Sequence, residues 1–197
     1  MASKQTKQLL VVTMSTLAFT LCFAVWMMFA VIGIPIKDAL KLNETQFGLL
    51  VAMPVLTGSL VRLPLGMLTD RFGGRIVFFA LMLATVLPIY MIGEATTYWQ
   101  FLVGGLFVGL AGGSFSVGIA YVAHWFPRNQ QGFAMGIFGA GNAGAAVTKF
   151  VAPAIVVALG WAMVPKSFAL AMLVMALSFW IFTYSDPAHS GGGKIDF

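Results

Sequence analysis

Six long apolar stretches, separated by short polar breaks, organise this sequence. They run from Leu9 to Ile34, Phe47 to Leu68, Ile76 to Gly93, Trp99 to Ala123, Gly132 to Trp161 and Met163 to Tyr184. Each is close to or above the ~20 residues a helix needs to cross a bilayer core. Backbone groups in lipid must bond within the chain, so such runs predict helices. The short alternating segments of a membrane barrel are absent. The pattern therefore predicts an all-α membrane protein of six transmembrane helices. The fifth stretch exceeds what a span requires, which places a tilt or kink near Pro153.

The ends refine this picture. Lys4 and Lys7 precede the first apolar run, as in a signal peptide. That run is longer than an h-region of about 7–15 residues. No small-residue cleavage site stands out at Trp26, Met27, Met28 and Phe29, so it reads as an uncleaved span. Residues 185–197 contain Pro187, Ser190 and Gly191 to Gly193, a polar and flexible composition. The expected organisation is a membrane domain over residues 1–184 and a cytoplasmic tail over 185–197.

Composition agrees. Hydrophobic residues make up 60% of the 197 and charged residues 9%, against about 25% charged in a soluble domain. The formal charge of +5 does not point to nucleic acid, because the basic residues are scattered and mostly flank apolar runs. With the N-terminus inside, the inner side carries Lys4, Lys7, Arg71, Arg75, Arg128 and Lys194, and the outer side Lys37, Lys41 and Lys166. Both termini are therefore expected in the cytoplasm. The lone Cys22 can form no internal disulfide, and His124 and His189 are too far apart to begin a metal site. No metal or cofactor is expected.

Two cations remain inside spans. Arg62 lies in Leu60-Val61-Arg62-Leu63-Pro64-Leu65, about 10 Å from the inner boundary near Thr69 at 1.5 Å per residue. A charge at such depth costs ~2.5–3.5 kcal/mol even on the lenient insertion scale. Snorkelling is one outlet; a polar cavity is the other. No acidic residue lies at comparable depth. A permanently charged planar fork without a carboxylate calls for an anion, and a small planar oxyanion fits it through two parallel hydrogen bonds. Asn142 and Lys149, seven residues apart, fall within about 20° on one helix face. Asn142 could donate to that anion or join helices by a hydrogen bond. Lys149 could snorkel outward, add a second positive charge, or titrate. Phe115 could be core, or a ring on which a flat anion lies.

The glycines read as packing. Gly139-Ala140-Gly141-Asn142-Ala143-Gly144 matches G-x-G-x-x-G, but it lies inside an apolar run with no acid about 20 residues on, so a dinucleotide site is rejected. Gly132, Gly136, Ala140 and Gly144, and likewise Gly105, Gly109 and Gly113, form small-residue stripes for close helix approach. Asn43-Glu44-Thr45 matches a glycosylation sequon and reads as coincidence. The acids Asp38, Glu44, Asp70 and Glu94 fall at loop positions with no nucleophile–base pair, so an enzyme is not expected.

Two segments carry a family resemblance. Gly66-Met67-Leu68-Thr69-Asp70-Arg71-Phe72-Gly73-Gly74-Arg75 resembles G-x-x-x-D-R-x-G-x-R, the loop between helices two and three of the major facilitator superfamily. Gly136 to Gly144, followed by Val151-Ala152-Pro153, resembles the fifth-helix signature of its nitrate/nitrite porters, as do the Arg62 helix and the Gly-Gly-Ser-Phe run ending at Phe115. The likeness extends nearly through Tyr184. It implies that Arg62 clamps nitrate or nitrite, that Asn142 and the Gly141 backbone line the site, and that Phe115 stacks on the anion. It also implies a conformational role for Gly66, Asp70, Arg71, Gly73 and Arg75, with Asp70 acting across the interface between halves. Lys149 resembles the subgroup that couples nitrate to protons; nitrate/nitrite exchange is the other coupling.

Members of this superfamily have two six-helix halves with the substrate between them. The chain corresponds to the N-terminal half and implies a second half on the same or a separate polypeptide. The alternatives are a half for another small anion, since fold does not fix substrate, or a non-transporting membrane subunit or truncated remnant. The expected location is the bacterial inner membrane.

Overall fold

The computed structural model describes residues 3–187, and those residues contain helices and no strand. All six expected spans are present: α1 (Lys4–Leu40), α2 (Glu44–Phe72), α3 (Gly74–Ile92), α4 (Tyr98–Trp125), α5 (Arg128–Leu159) and α6 (Met163–Phe182). His189, Ser190, Gly191 to Gly193 and Lys194 lie outside the described residues.

Local chemistry sets the helix ends. The Asn43 side chain accepts from the Gln46 N–H at 2.9 Å, and the Gln46 side chain accepts from the Asn43 N–H at 3.0 Å. This reciprocal box starts α2. It gives Asn43 a structural task unrelated to the sequon it matches. Gly73, at φ 86°, separates α2 from α3 in a conformation that costs glycine little. Gly160, at φ 87°, stops α5 at Leu159, two residues short of Trp161, where the apolar run ends.

Four of the six helices are interrupted within the membrane. α1 breaks at Met27–Met28 and α2 at Val61, while α4 tightens to a 3-10 turn at Gly109–Gly113 and α5 at Ala140–Ala143. The α2 break follows from Pro64, which has no N–H for the Leu60 carbonyl. In α5, Pro153 lies inside the helical segment Gly144–Leu159, and a 3-10 interruption falls in the glycine run before it.

The α1 break is stitched to α5. Met28 N–H donates to Val25 O at 3.1 Å, which leaves the Ala24 carbonyl outside the regular ladder. The Thr148 hydroxyl donates to that carbonyl at 2.6 Å. Thr148→Val keeps the shape and removes the donor. It should lower stability by about 1 kcal/mol, read as a lower melting temperature in detergent.

Glycine packing differs from the expected stripes. In α4 the stripe holds: a Cβ on Gly109 would sit 2.6 Å from the Pro54 carbonyl oxygen, and Gly113 faces Leu65 and Val61. In α5 the close approaches are made by Gly141 and Gly144 against α1, whereas Gly132 and Gly136 face open space. Gly144 keeps its place in the expected α5 stripe, while Gly141 joins it in place of Gly132 and Gly136.

At the end carrying Lys4, Arg71 and Arg128, Asp186 is 1% exposed although it lies in the stretch read as tail. Its carboxylate accepts the Gly74 N–H at 2.7 Å, at the positive N-terminus of α3, and lies 3.6 Å from His124 Nδ1. Tyr121 donates to the Tyr184 carbonyl beside it. The chain after α6 is thereby pinned to the α2–α3 loop. Asp186→Ala should destabilise the bundle by about 1–3 kcal/mol, measured by thermal unfolding in detergent.

Candidate functional site

Arg62 is the first residue after the α2 break; the residue is exposed, and its guanidinium lies beside two aromatic side chains of other helices. The guanidinium carbon lies 5.8 Å from the Trp26 ring centroid and 5.8 Å from that of Phe115. Both distances are within the range where a cation is attracted to a ring face. The ion pairs among the described residues are Lys37–Glu44, Lys166–Glu94 and His124–Asp186; none involves Arg62. The cation is thus held by aromatic faces, with its charge not neutralised by a carboxylate.

The rings continue into the bundle. Phe115 packs on Phe19 at 5.5 Å between centroids, and Phe19 stacks on Phe138 at 4.8 Å. Gly141 completes the chain of contact. A Cβ there would overlap the Phe19 ring and come within 3.1 Å of the Thr16 carbonyl oxygen. Arg62, Phe115 and Gly141, drawn from three helices, are therefore joined through one aromatic cluster anchored on α1. The three interruptions of α2, α4 and α5 surround it.

Asn142 is exposed beside Gly141, and its amide nitrogen donates to Gly139 O at 2.8 Å. An amide nitrogen carries two hydrogens, so a second donor remains for a ligand. Lys149 is exposed further along α5. The 3-10 turn means that their relative angle does not follow from 100° per residue across the whole interval.

The loop residues form a separate group at the end of the bundle that carries Lys4 and Arg128. Gly66, Asp70 and Arg71 follow α2 to its terminus, where Arg71 lies 5.3 Å over the Phe72 ring. Arg75 donates to the Trp180 carbonyl at 2.5 Å and sits 4.2 Å over the Trp180 ring. This half of the motif is thus fastened to α6.

Sequence reasoning passed over Trp26, Phe19 and Phe23. They occur at i, i+4 and i+7 along α1, the spacing of one helix face. That aromatic stripe was visible, but an apolar stripe in a membrane helix marks packing as readily as a site.

The profile of the Major Facilitator Superfamily matches residues 14–196. The chain belongs to that superfamily. Within it, the chain is 42% identical over 199 residues to a protein of Thermus thermophilus named probable nitrate/nitrite antiporter NarK1, covering 95% of this chain and 45% of that protein. It is 36% identical over 170 residues to the probable nitrate transporter NarT of Staphylococcus aureus (strain MRSA252), covering 86% and 44%. It is 34% identical over 171 residues to the nitrite extrusion protein of Bacillus subtilis (strain 168), covering 87% and 43%. The resemblance to nitrate/nitrite porters is borne out by these names. The chain spans about half the length of the curated relatives it matches. Six apolar helices and superfamily membership make it an integral membrane protein of a transporter family, not an enzyme.

Proposed function

We propose that this chain forms the anion-binding half of a nitrate or nitrite transporter, with both termini on the cytoplasmic side of a bacterial inner membrane. The observation that carries this reading is Arg62, 5.8 Å from two aromatic rings with no carboxylate among the described residues in ion-pair range. In that setting the guanidinium fork supplies parallel donors to a planar oxyanion. Phe115 offers its ring edge to the flat anion, while Asn142 and the Gly141 backbone line the far side. The relatives' names supply the substrate.

A second six-helix body covers the site in this reading. Only 17% of the most apolar window is buried in each of α2 and α5, against 50% in α1 and 56% in α4. The helices that carry Arg62 and Asn142 are the two left most open. The open glycines Gly132 and Gly136 lie on α5 as well. Relatives about twice as long would supply that body.

Lys149 serves as the coupling residue of a nitrate/proton symport. Exchange of nitrate for nitrite is the second reading, favoured by the antiporter name of the Thermus relative. Uptake into proteoliposomes with and without a pH gradient separates them. Substrate is tested by melting the purified protein with nitrate, nitrite, chlorate and small carboxylates. Nitrate and nitrite should raise the melting temperature and carboxylates should not. Equal shifts with all four would point to another small anion; no shift would point to a non-transporting subunit.

A further inference from the structure

We infer that Trp26 is the positioning residue for Arg62, a step that depends on the anion-binding reading above. Its indole N–H donates to the Pro54 carbonyl at 2.8 Å, two turns before Arg62 on the same helix. Its ring lies under the guanidinium at 5.8 Å. One side chain of α1 therefore grips α2 by a hydrogen bond and supports the cation of α2 by its face.

Two glycines pack closely on the indole. A Cβ on Gly58 would lie 2.7 Å from Trp26 Nε1, and a Cβ on Gly112 would lie 2.9 Å from the same atom. Glycine at both positions lets α2 and α4 close on the two sides of the ring. Phe23 packs against its remaining edge at 5.4 Å. Trp26 is also the last residue before the α1 break, so the helix ends where the ring must reach out.

The choice of an aromatic support has a chemical consequence. A carboxylate would fix the guanidinium more firmly but would compete with the substrate anion for the same donors. A ring face attracts the cation by its quadrupole and occupies none of the N–H groups. Trp26 and Phe115 thus hold the charge in place while leaving its fork for the ligand.

Trp26→Met and Trp26→Phe test this in the intact protein, by nitrate titration of the melting temperature and by uptake into proteoliposomes. Trp26→Met removes the ring and its N–H donor and keeps an apolar side chain. It should raise the half-saturating nitrate concentration about tenfold and change the maximal uptake rate less than about twofold, with a lower anion-free melting temperature from the lost Pro54 bond and ring packing. Trp26→Phe keeps a face but loses the bond to Pro54, and should raise half-saturation about threefold. A folded Trp26→Met protein with wild-type half-saturation overturns the inference. Should Trp26→Met not fold, wild-type half-saturation in Trp26→Phe overturns it equally. A wild-type protein indifferent to nitrate overturns the function on which the inference depends and is distinguishable from both outcomes.

Discussion

Replacing Arg62 with lysine should abolish most nitrate binding, at least a tenfold loss, while the protein still inserts and folds. The charge is kept, so insertion and any general attraction for anions persist. What is lost is the planar fork. Lysine presents a compact ammonium that cannot make two parallel bonds to one oxyanion, and bidentate recognition is where the discrimination lies. The ammonium is also more strongly hydrated than a guanidinium and is poorly suited to a seat between the rings of Trp26 and Phe115. The measurement is a nitrate titration of the melting temperature, with circular dichroism to show that helix content is unchanged. Equal nitrate response in wild type and Arg62→Lys would remove the central support for the anion site. Arg62→Lys and Trp26→Met then form a graded pair, the first removing the fork and the second its seat.

Much of the fold was legible because lipid is a strict solvent. A run near 20 apolar residues has few structural options, so all six spans could be read; their ends, set by the Asn43 cap and by Gly73 and Gly160, fell a few residues from the apolar boundaries. The interruptions within spans were less legible. The broken ladder at Met27–Met28 is compensated by a hydroxyl on another helix, Thr148, and no local pattern around residue 27 announces it. The 3-10 turn in α5 falls at Ala140–Ala143, where no helix-breaking proline stands. Arg62 stood out because a lone cation is conspicuous among apolar residues. Trp26 did not, because its role depends on Pro54 and Arg62 one helix away. Asp186 was read as tail for the same reason: the groups that bury it, Gly74 and His124, are distant in sequence. Composition reports what a residue costs in lipid; it does not report which partner offsets that cost.

The second large effect is expected at Gly144. A Cβ there would collide with the Thr20 carbonyl oxygen and sit 2.9 Å from the Ala24 nitrogen. Both obstacles are backbone of α1, so no rotamer change relieves them. Gly144→Val should force α1 and α5 apart, break the Thr148–Ala24 bond next to it, and cost about 3 kcal/mol or more. The expected result is a large drop in melting temperature and in the yield of monodisperse protein. Gly48, which has open space around it, is the control; Gly48→Ala should be neutral or slightly stabilising, since alanine is the better helix former. Gly141→Ala separates packing from binding. Its first obstacle is the Phe19 ring, a side chain that can yield, with the Thr16 carbonyl behind it at 3.1 Å. Movement of Phe19 is passed to Phe115, 5.5 Å away, and so to the seat of Arg62. Gly141→Ala should therefore weaken nitrate binding by a larger factor than its modest loss of stability explains. If it instead lowers the melting temperature as far as Gly144→Val and leaves nitrate affinity untouched, the aromatic cluster is packing alone.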